Sequence, residues 1–176
     1  MSEGARLLAW VHRLRDHVSA PPQAAAHCDI PCGIYDPQEA QVAALTVVRM
    51  DQMMNELPSP GPETKPEAHV KYHSQFARFV KVKEQFADKC EEELVTLQND
   101  YFSADHRKKY PDLDERFSKA YAAISKARQG TSTADAEEAL QHVHGIAEVF
   151  WETKGAKTAR VPSHSKAGGE FIVPVS

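Results

Sequence analysis

The stretch DPQEAQVAALTVVRMDQMMNEL, residues 36–57, reads as one amphipathic helix, and the organisation of the chain can be worked outward from it. Asp36 offers an N-cap oxygen, Pro37 suits the first helical position because it has no N–H to satisfy, and Glu39 stands three residues after the cap. Ala43, Val47, Met50, Met54 and Leu57 then recur at spacings of three and four, which puts them on one face. The run Pro58-Ser59-Pro60-Gly61-Pro62 ends the helix.

Three more helices follow by the same reading. Thr64-Lys65-Pro66-Glu67 repeats the start signal, and Phe76, Phe79, Val80, Phe86, Cys90, Leu94, Leu97 and Tyr101 form the apolar face behind it. A third helix starts near Pro111, turns Leu113, Phe117, Tyr121 and Ile124 inward and ends at Gly130. The fourth starts at Ser132 or Thr133 and buries Ala136, Leu140, Val143, Ala147 and Phe150. No stretch alternates with period two. Four apolar stripes joined mostly by short connections bury one another in an all-α, up-down antiparallel four-helix bundle. Residues 155–176 turn to Gly, Lys, Ser and Pro and are expected to form a disordered tail, with Phe171-Ile172-Val173 as the piece able to dock.

Composition narrows the function. The 176 residues are 41% hydrophobic and 26% charged with a net charge of −4. That balance lacks the basic excess of a nucleic-acid binder. No apolar run approaches the roughly 20 residues that span a bilayer. Three cysteines in a chain of this size do not build a disulfide framework. Cys90 falls on a helical apolar face and is read as a small core residue. The first 26 residues carry Leu7-Leu8-Ala9-Trp10-Val11, but His12, Arg13 and Arg15 break it before it becomes the apolar core of a secretory signal. Residues 1–26 are therefore expected to be a cleaved pro-segment of a cytoplasmic protein, with Ala24-Ala25-Ala26 marking the cut.

Cys28 and Cys32 alone are compatible with a reversible disulfide, a metal site or two unrelated thiols. Their surroundings add chemistry: His27 directly precedes Cys28, Pro31 and Gly33 flank Cys32, and Tyr35 stands before the first helix. Cleavage after Ala26 gives His27 a free α-amine beside its imidazole. The amine, the deprotonated amide nitrogen of Cys28 and the Cys28 thiolate then form two fused five-membered chelate rings. Cys32 returns through the Pro31 turn to complete a planar N₂S₂ set, and the imidazole stands above the plane. Such tetragonal coordination suits Ni(II) or Cu(II), whereas zinc prefers a tetrahedron. Thiolate and amidate donors also stabilise the higher oxidation state, and binding needs deprotonated thiols.

The segment His27-Cys28-Asp29-Ile30-Pro31-Cys32-Gly33-Ile34-Tyr35-Asp36-Pro37 resembles the N-terminal hook of the nickel superoxide dismutase family. Val82-Lys83-Glu84-Gln85, Asp100-Tyr101-Phe102, Lys109-Tyr110-Pro111 and Phe150-Trp151-Glu152-Thr153-Lys154 extend the resemblance, in order, across residues 27–154. It implies conversion of superoxide to oxygen and hydrogen peroxide by nickel cycling between divalent and trivalent states, a maturation protease, and a homohexamer of four-helix bundles. By position it makes His27, Cys28 and Cys32 the nickel ligands. It gives Pro31 the hook's turn, Asp29 the hydrogen bonds that fix the hook, and Tyr35, helped by Tyr101, the open face of the metal.

Two positions depart from the family pattern. Members of the family brace the axial imidazole with a glutamate paired to an arginine, and here those positions hold Ala43 and Phe86. Losing both is coherent, because one alone would leave a poorly paired buried charge. It also removes the acceptor that would orient the ligating imidazole. Two other functions use the same residues: a nickel-trafficking bundle without catalysis, and a thiol redox protein cycling a Cys28–Cys32 disulfide. His69 and His73 share a helical face without a third ligand and read as solvated surface, and His142 and His144, two apart, diverge on a helix.

Overall fold

The computed structural model describes residues 32–175. Helix α1 spans Gln38–Glu56 and α2 Pro66–Thr96, which runs directly into a π-turn at Leu97–Tyr101. A short α3 (Ala104–Lys109) precedes α4 (Leu113–Gln129) and α5 (Thr133–Thr153), and strands β1 (Lys157–Pro162) and β2 (Glu170–Val175) close the chain. The four long helices pack in a ring, α1 against α2 and α5, and α4 against α5 and α2. This is the antiparallel bundle expected from the sequence. Among the described residues no helix is long and apolar enough to cross a membrane.

The local signals act where physics places them, with one shift. Helix α1 starts at Gln38, and Pro37 occupies the cap position. Asp36 still accepts the Gln38 N–H at 2.7 Å, so an orphan donor of the first turn is satisfied. Glu39 does not close a capping box; it pairs with Lys89 of α2 at 2.7 Å. Thr64 is not a cap either, because Lys65 holds that position before Pro66. Helix α5 is capped by Ser132, whose hydroxyl accepts the Asp135 N–H.

The core is rich in alanine: Ala40, Ala43, Ala44, Ala87, Ala120, Ala123, Ala127, Ala136, Ala139 and Ala147 are all buried. Small side chains at facing positions let helices approach toward the short end of the usual 8–10 Å spacing, and Leu94, Leu113, Phe117 and Phe150 fill the gaps. Cys90 sits in this core as the sequence indicated. Burial pushes its thiol up to about 12, and Sγ donates to the Ala40 carbonyl. Phe76, Phe79 and Val80 are only half-buried. Asp51 lies opposite Lys83, so Phe79 and Val80 face only the last residues of α1, which ends at Glu56, and Phe76 falls beyond it.

Two features depart from the sequence reading. The core holds a charged pair, Lys83 Nζ to Asp51 Oδ1 at 2.8 Å, with side-chain exposures of 2% and 0%. Lys83 also donates to the Gly130 carbonyl at the end of α4. Desolvation raises the Asp51 pKa, and the Lys83 hydrogen bond and charge oppose that rise.

The second departure corrects the tail. Residues 157–175 form an antiparallel hairpin in which Arg160 lies opposite Ile172. Ile172 is 1% exposed, and Gln41 of α1 holds its backbone from both sides. Burial of one isoleucine and satisfaction of the strand's outward backbone groups order a segment whose composition reads as loop.

Candidate metal and substrate site

The residues expected to bind the metal fall at the chain's edge. His27, Cys28, Asp29 and Pro31 lie outside the described residues, as does the leader 1–26. Cys32 is exposed. Among the described residues, no group of three His, Cys, Asp or Glu side chains is placed to hold a metal ion. His69 and His73 gain no third ligand from the fold.

Tyr35 and Tyr101 do come together. Tyr35 stands just before α1, and its ring centroid is 5.6 Å from that of Tyr101. Tyr101 reaches this place through the π-turn, where the Phe102 N–H bonds to the Leu97 carbonyl at 3.0 Å. The wider turn accommodates one extra residue and re-aims the side chain that follows it, a device common at functional positions. Arg107 holds the turn's loose end by donating to the carbonyls of Phe102 and Gln98 while its Nε meets Asp114 at 3.2 Å.

Three contacts then fix the Tyr101 ring. Phe150 packs at 4.5 Å, and His106 stacks on it at 5.4 Å with planes 27° apart. The His106 ring is held by a capping box: the Ser103 N–H donates to Nδ1 at 3.2 Å, and Ser103 Oγ accepts the His106 N–H at 3.3 Å. An Nδ1 that accepts leaves the proton of the neutral imidazole on Nε2. Finally, Tyr101 Oη lies 2.6 Å from Thr153 Oγ1, which itself donates to the Phe150 carbonyl at 2.6 Å. Thr153 has spent its proton on that carbonyl, so the phenol is the donor in the Tyr101–Thr153 bond. Lys154 Nζ lies 5.3 Å over the Tyr101 ring, which puts a positive charge beside the tyrosine pair.

Sequence reasoning selected Tyr35 and Tyr101 but gave no role to His106, Arg107, Thr153 or Lys154. The basic run His106-Arg107-Lys108-Lys109 and the closing Thr153-Lys154 were the available signals. Neither reveals stacking across the π-turn. Ala43 is fully buried and Phe86 packs half-buried on the core, so these two positions supply apolar contact and no charge.

A helical bundle with a paired-tyrosine site, in a chain whose sequence places a histidine–cysteine motif before the first helix, is the pattern of a narrow class of metalloenzymes. The model of the nickel-containing superoxide dismutases matches residues 22–154. The chain is 35% identical over 132 residues to the nickel superoxide dismutase of Streptomyces seoulensis, covering 75% of this chain and 91% of that protein. The Streptomyces coelicolor enzyme is 33% identical over the same length and coverage. Among solved structures, nickel-containing superoxide dismutase with ligation corresponding to the oxidised state aligns with a TM-score of 0.63 at 32% identity, over 74% of this chain and all of the other. The native enzyme aligns at 0.61 and 31%. This chain belongs to the nickel-containing superoxide dismutase family, whose members are oxidoreductases with a nickel cofactor and superoxide as substrate.

Proposed function

We propose that this chain dismutates superoxide after cleavage between Ala26 and His27. The donors fit nickel by their chemistry: an amine and imidazole from His27, an amide nitrogen and thiolate from Cys28, and a thiolate from Cys32 make the tetragonal N/S set that Ni(II) accepts. Bound there, nickel supplies the one-electron couple that two superoxide ions need to become oxygen and hydrogen peroxide. The observation that carries the reading is the Tyr35–Tyr101 pair, which follows Cys32 after three residues and is fixed by a π-turn.

The chain's own residues divide the remaining work. Tyr35 would screen nickel held by the hook, so that a small anion enters and bulkier groups do not. Tyr101 supports Tyr35 and directs its phenolic proton to Thr153, away from the entering anion. Asp29 fixes the hook through local hydrogen bonds. Lys154 draws the negative substrate toward the aromatic pair. With Ala43 and Phe86 in place of a charged brace, the His27 imidazole is oriented by a backbone carbonyl or water, which shifts the redox potential from that of braced relatives. The protomers assemble as a homohexamer, and a protease in the cytoplasm performs the cleavage.

The reading is tested by loading the processed chain with nickel and following superoxide decay beside a zinc-loaded sample and the Cys28→Ser and Cys32→Ser variants. Decay at catalytic rates only in the nickel-loaded, unsubstituted chain is expected. Equal decay with zinc, or full activity without either thiolate, overturns it. Electron paramagnetic resonance of the nickel form tests the brace: an axial-nitrogen signal indistinguishable from that of braced relatives contradicts a freer imidazole.

A further inference from the structure

The family match ends at residue 154, so the hairpin of 157–175 is an addition to the shared bundle. Its attachment is unusual in being almost wholly polar along one strand edge. An antiparallel strand turns the backbone groups of alternate residues outward, and a two-stranded hairpin leaves such an edge open. On β2 three of the outward backbone groups meet helix side chains. The Glu170 carbonyl lies 3.1 Å from His144 Nε2 of α5. Ile172 donates its N–H to Gln41 Oε1 at 2.7 Å and accepts from Gln41 Nε2 at 3.1 Å. Pro174 has no N–H to place. The loop between the strands then crosses α1, where Gln52 donates to the Ala167 carbonyl at 3.0 Å. Gly169, at φ +72°, lies so close to Leu45 that a Cβ would stand 2.9 Å from its Cδ1. The hairpin thus grips α1 from its first turn to its fourth, and α1 is the helix that the metal hook leads into.

One contact in this attachment is set by a proton. A carbonyl oxygen only accepts, so His144 must donate Nε2–H to Glu170, and the neutral ring leaves Nδ1 bare. His144 is fully buried, and Nδ1 has no hydrogen-bond partner. Adding a proton there keeps the Nε2 bond but creates a buried cation whose new N–H has no acceptor, which is among the costlier arrangements in a protein interior. The charged groups around the ring come from each side. Arg160 of β1 opposes a second positive charge, whereas Glu148 of α5 and Glu170 of β2 favour it. Arg116 of α4, which passes beside Gly145, is tied to Asp112. Gln41, the strap's partner on α1, does not titrate. Burial outweighs the two carboxylates and lowers the His144 pKa from its ordinary 6.5.

We propose that the C-terminal hairpin is an acid-released strap: it holds α1, the helix that follows the hook in sequence, through Gln41, and neutral His144 is the latch that a proton on Nδ1 opens. The sign follows from linkage. The docked ring binds a proton less readily than the undocked one, so docking is strongest above about pH 6.5 and weakens as pH falls from there toward the depressed value. Release is local, because the bundle core of α4 and α5 is apolar and contains no second buried histidine among the described residues. The proposal rests on the hairpin alone and stands whether or not the chain dismutates superoxide.

Amide hydrogen exchange on the full chain, corrected for the intrinsic pH dependence, tests it between about pH 7.5 and pH 5. The Ile172 amide and its hairpin neighbours are expected to lose protection by up to about tenfold per pH unit below 6.5, while core amides of α4 and α5 hold. His144→Gln keeps a donor for the Glu170 carbonyl but cannot titrate, so its hairpin protection is expected to be flat with pH. Glu170→Gln is expected to keep the fall. Flat protection in the unsubstituted protein overturns the proposal, as does an unchanged fall in His144→Gln or loss of the fall in Glu170→Gln. Should His144→Gln not fold, the imidazole titration of the unsubstituted protein decides: a midpoint at or above 6.5 is also contrary to it.

Discussion

The bundle and the hairpin are attached to the same helix by opposite means. Helix α1 meets α2 and α5 through Ala40, Ala43, Ala44, Val47 and Val48, a face of small apolar groups, with the buried Lys83–Asp51 pair inside it and the exposed Glu39–Lys89 pair at its edge. The hairpin region docks through amide hydrogen bonds from Gln41 and Gln52, the buried Ile172, and the half-buried Phe171 and Ala167. Apolar burial spread over many residues gives a cooperative unit that opens only as a whole. A few hydrogen bonds around a small apolar patch give a unit that opens on its own. The stability of the bundle and that of the hairpin should therefore respond to different substitutions.

The largest effect is expected inside the bundle. Lys83→Met leaves Asp51 buried without its partner and should lower global stability by about 3–5 kcal/mol, read from chemical denaturation. Adding Asp51→Leu should return much of that loss, since an apolar pair has no desolvation to overcome. If Lys83→Met weakened only the hairpin, the division into two units would be wrong.

Gln41→Ala should act on the other side of the boundary. It strands the Ile172 N–H and carbonyl, at about 1–3 kcal/mol for each group left unsatisfied, unless the strand lifts into water. The expected result is lost exchange protection in residues 157–175 with little change in the denaturation midpoint. Gly169→Ala is expected to follow with a smaller loss of about 1–2 kcal/mol in docking, because its φ is positive and Leu45 blocks the Cβ. A global loss of stability from either substitution would merge the two regions.

The smallest effects belong to the tyrosine site. Tyr101→Phe removes the hydrogen bond to Thr153 and should cost about 0.5–1.5 kcal/mol while leaving the ring contacts with Tyr35 and His106 in place. Lys154→Gln should slow superoxide decay by less than about threefold at low ionic strength and not at all at high, since screening removes an exposed charge.

The same contrast explains what was legible in the sequence. Helices α4 and α5 were readable nearly residue by residue, because Leu113, Phe117 and Ile124, and then Ala136, Leu140, Val143, Ala147 and Phe150, share one period and one fate. The hairpin was not, because its anchor Gln41 lies 131 residues from Ile172 and carries no local signal. His144 reads only as diverging from His142, and nothing local signals that β2 covers it. Lys83 and Asp51 interrupt apolar stripes and look like exposed charges in any window of sequence. The metal donors could be proposed from sequence because His27, Cys28 and Cys32 fall within six residues and two of them are adjacent. Tyr101 was named only by resemblance, since one extra residue in a π-turn leaves no trace in the pattern.

The central claim is that the hook is incomplete until His27 has a free amine. The direct measurement compares superoxide decay by the nickel-loaded processed chain with that of the uncleaved chain exposed to the same nickel. Catalysis by the processed chain and none above free nickel by the uncleaved one is the predicted result; equal activity in both would contradict it.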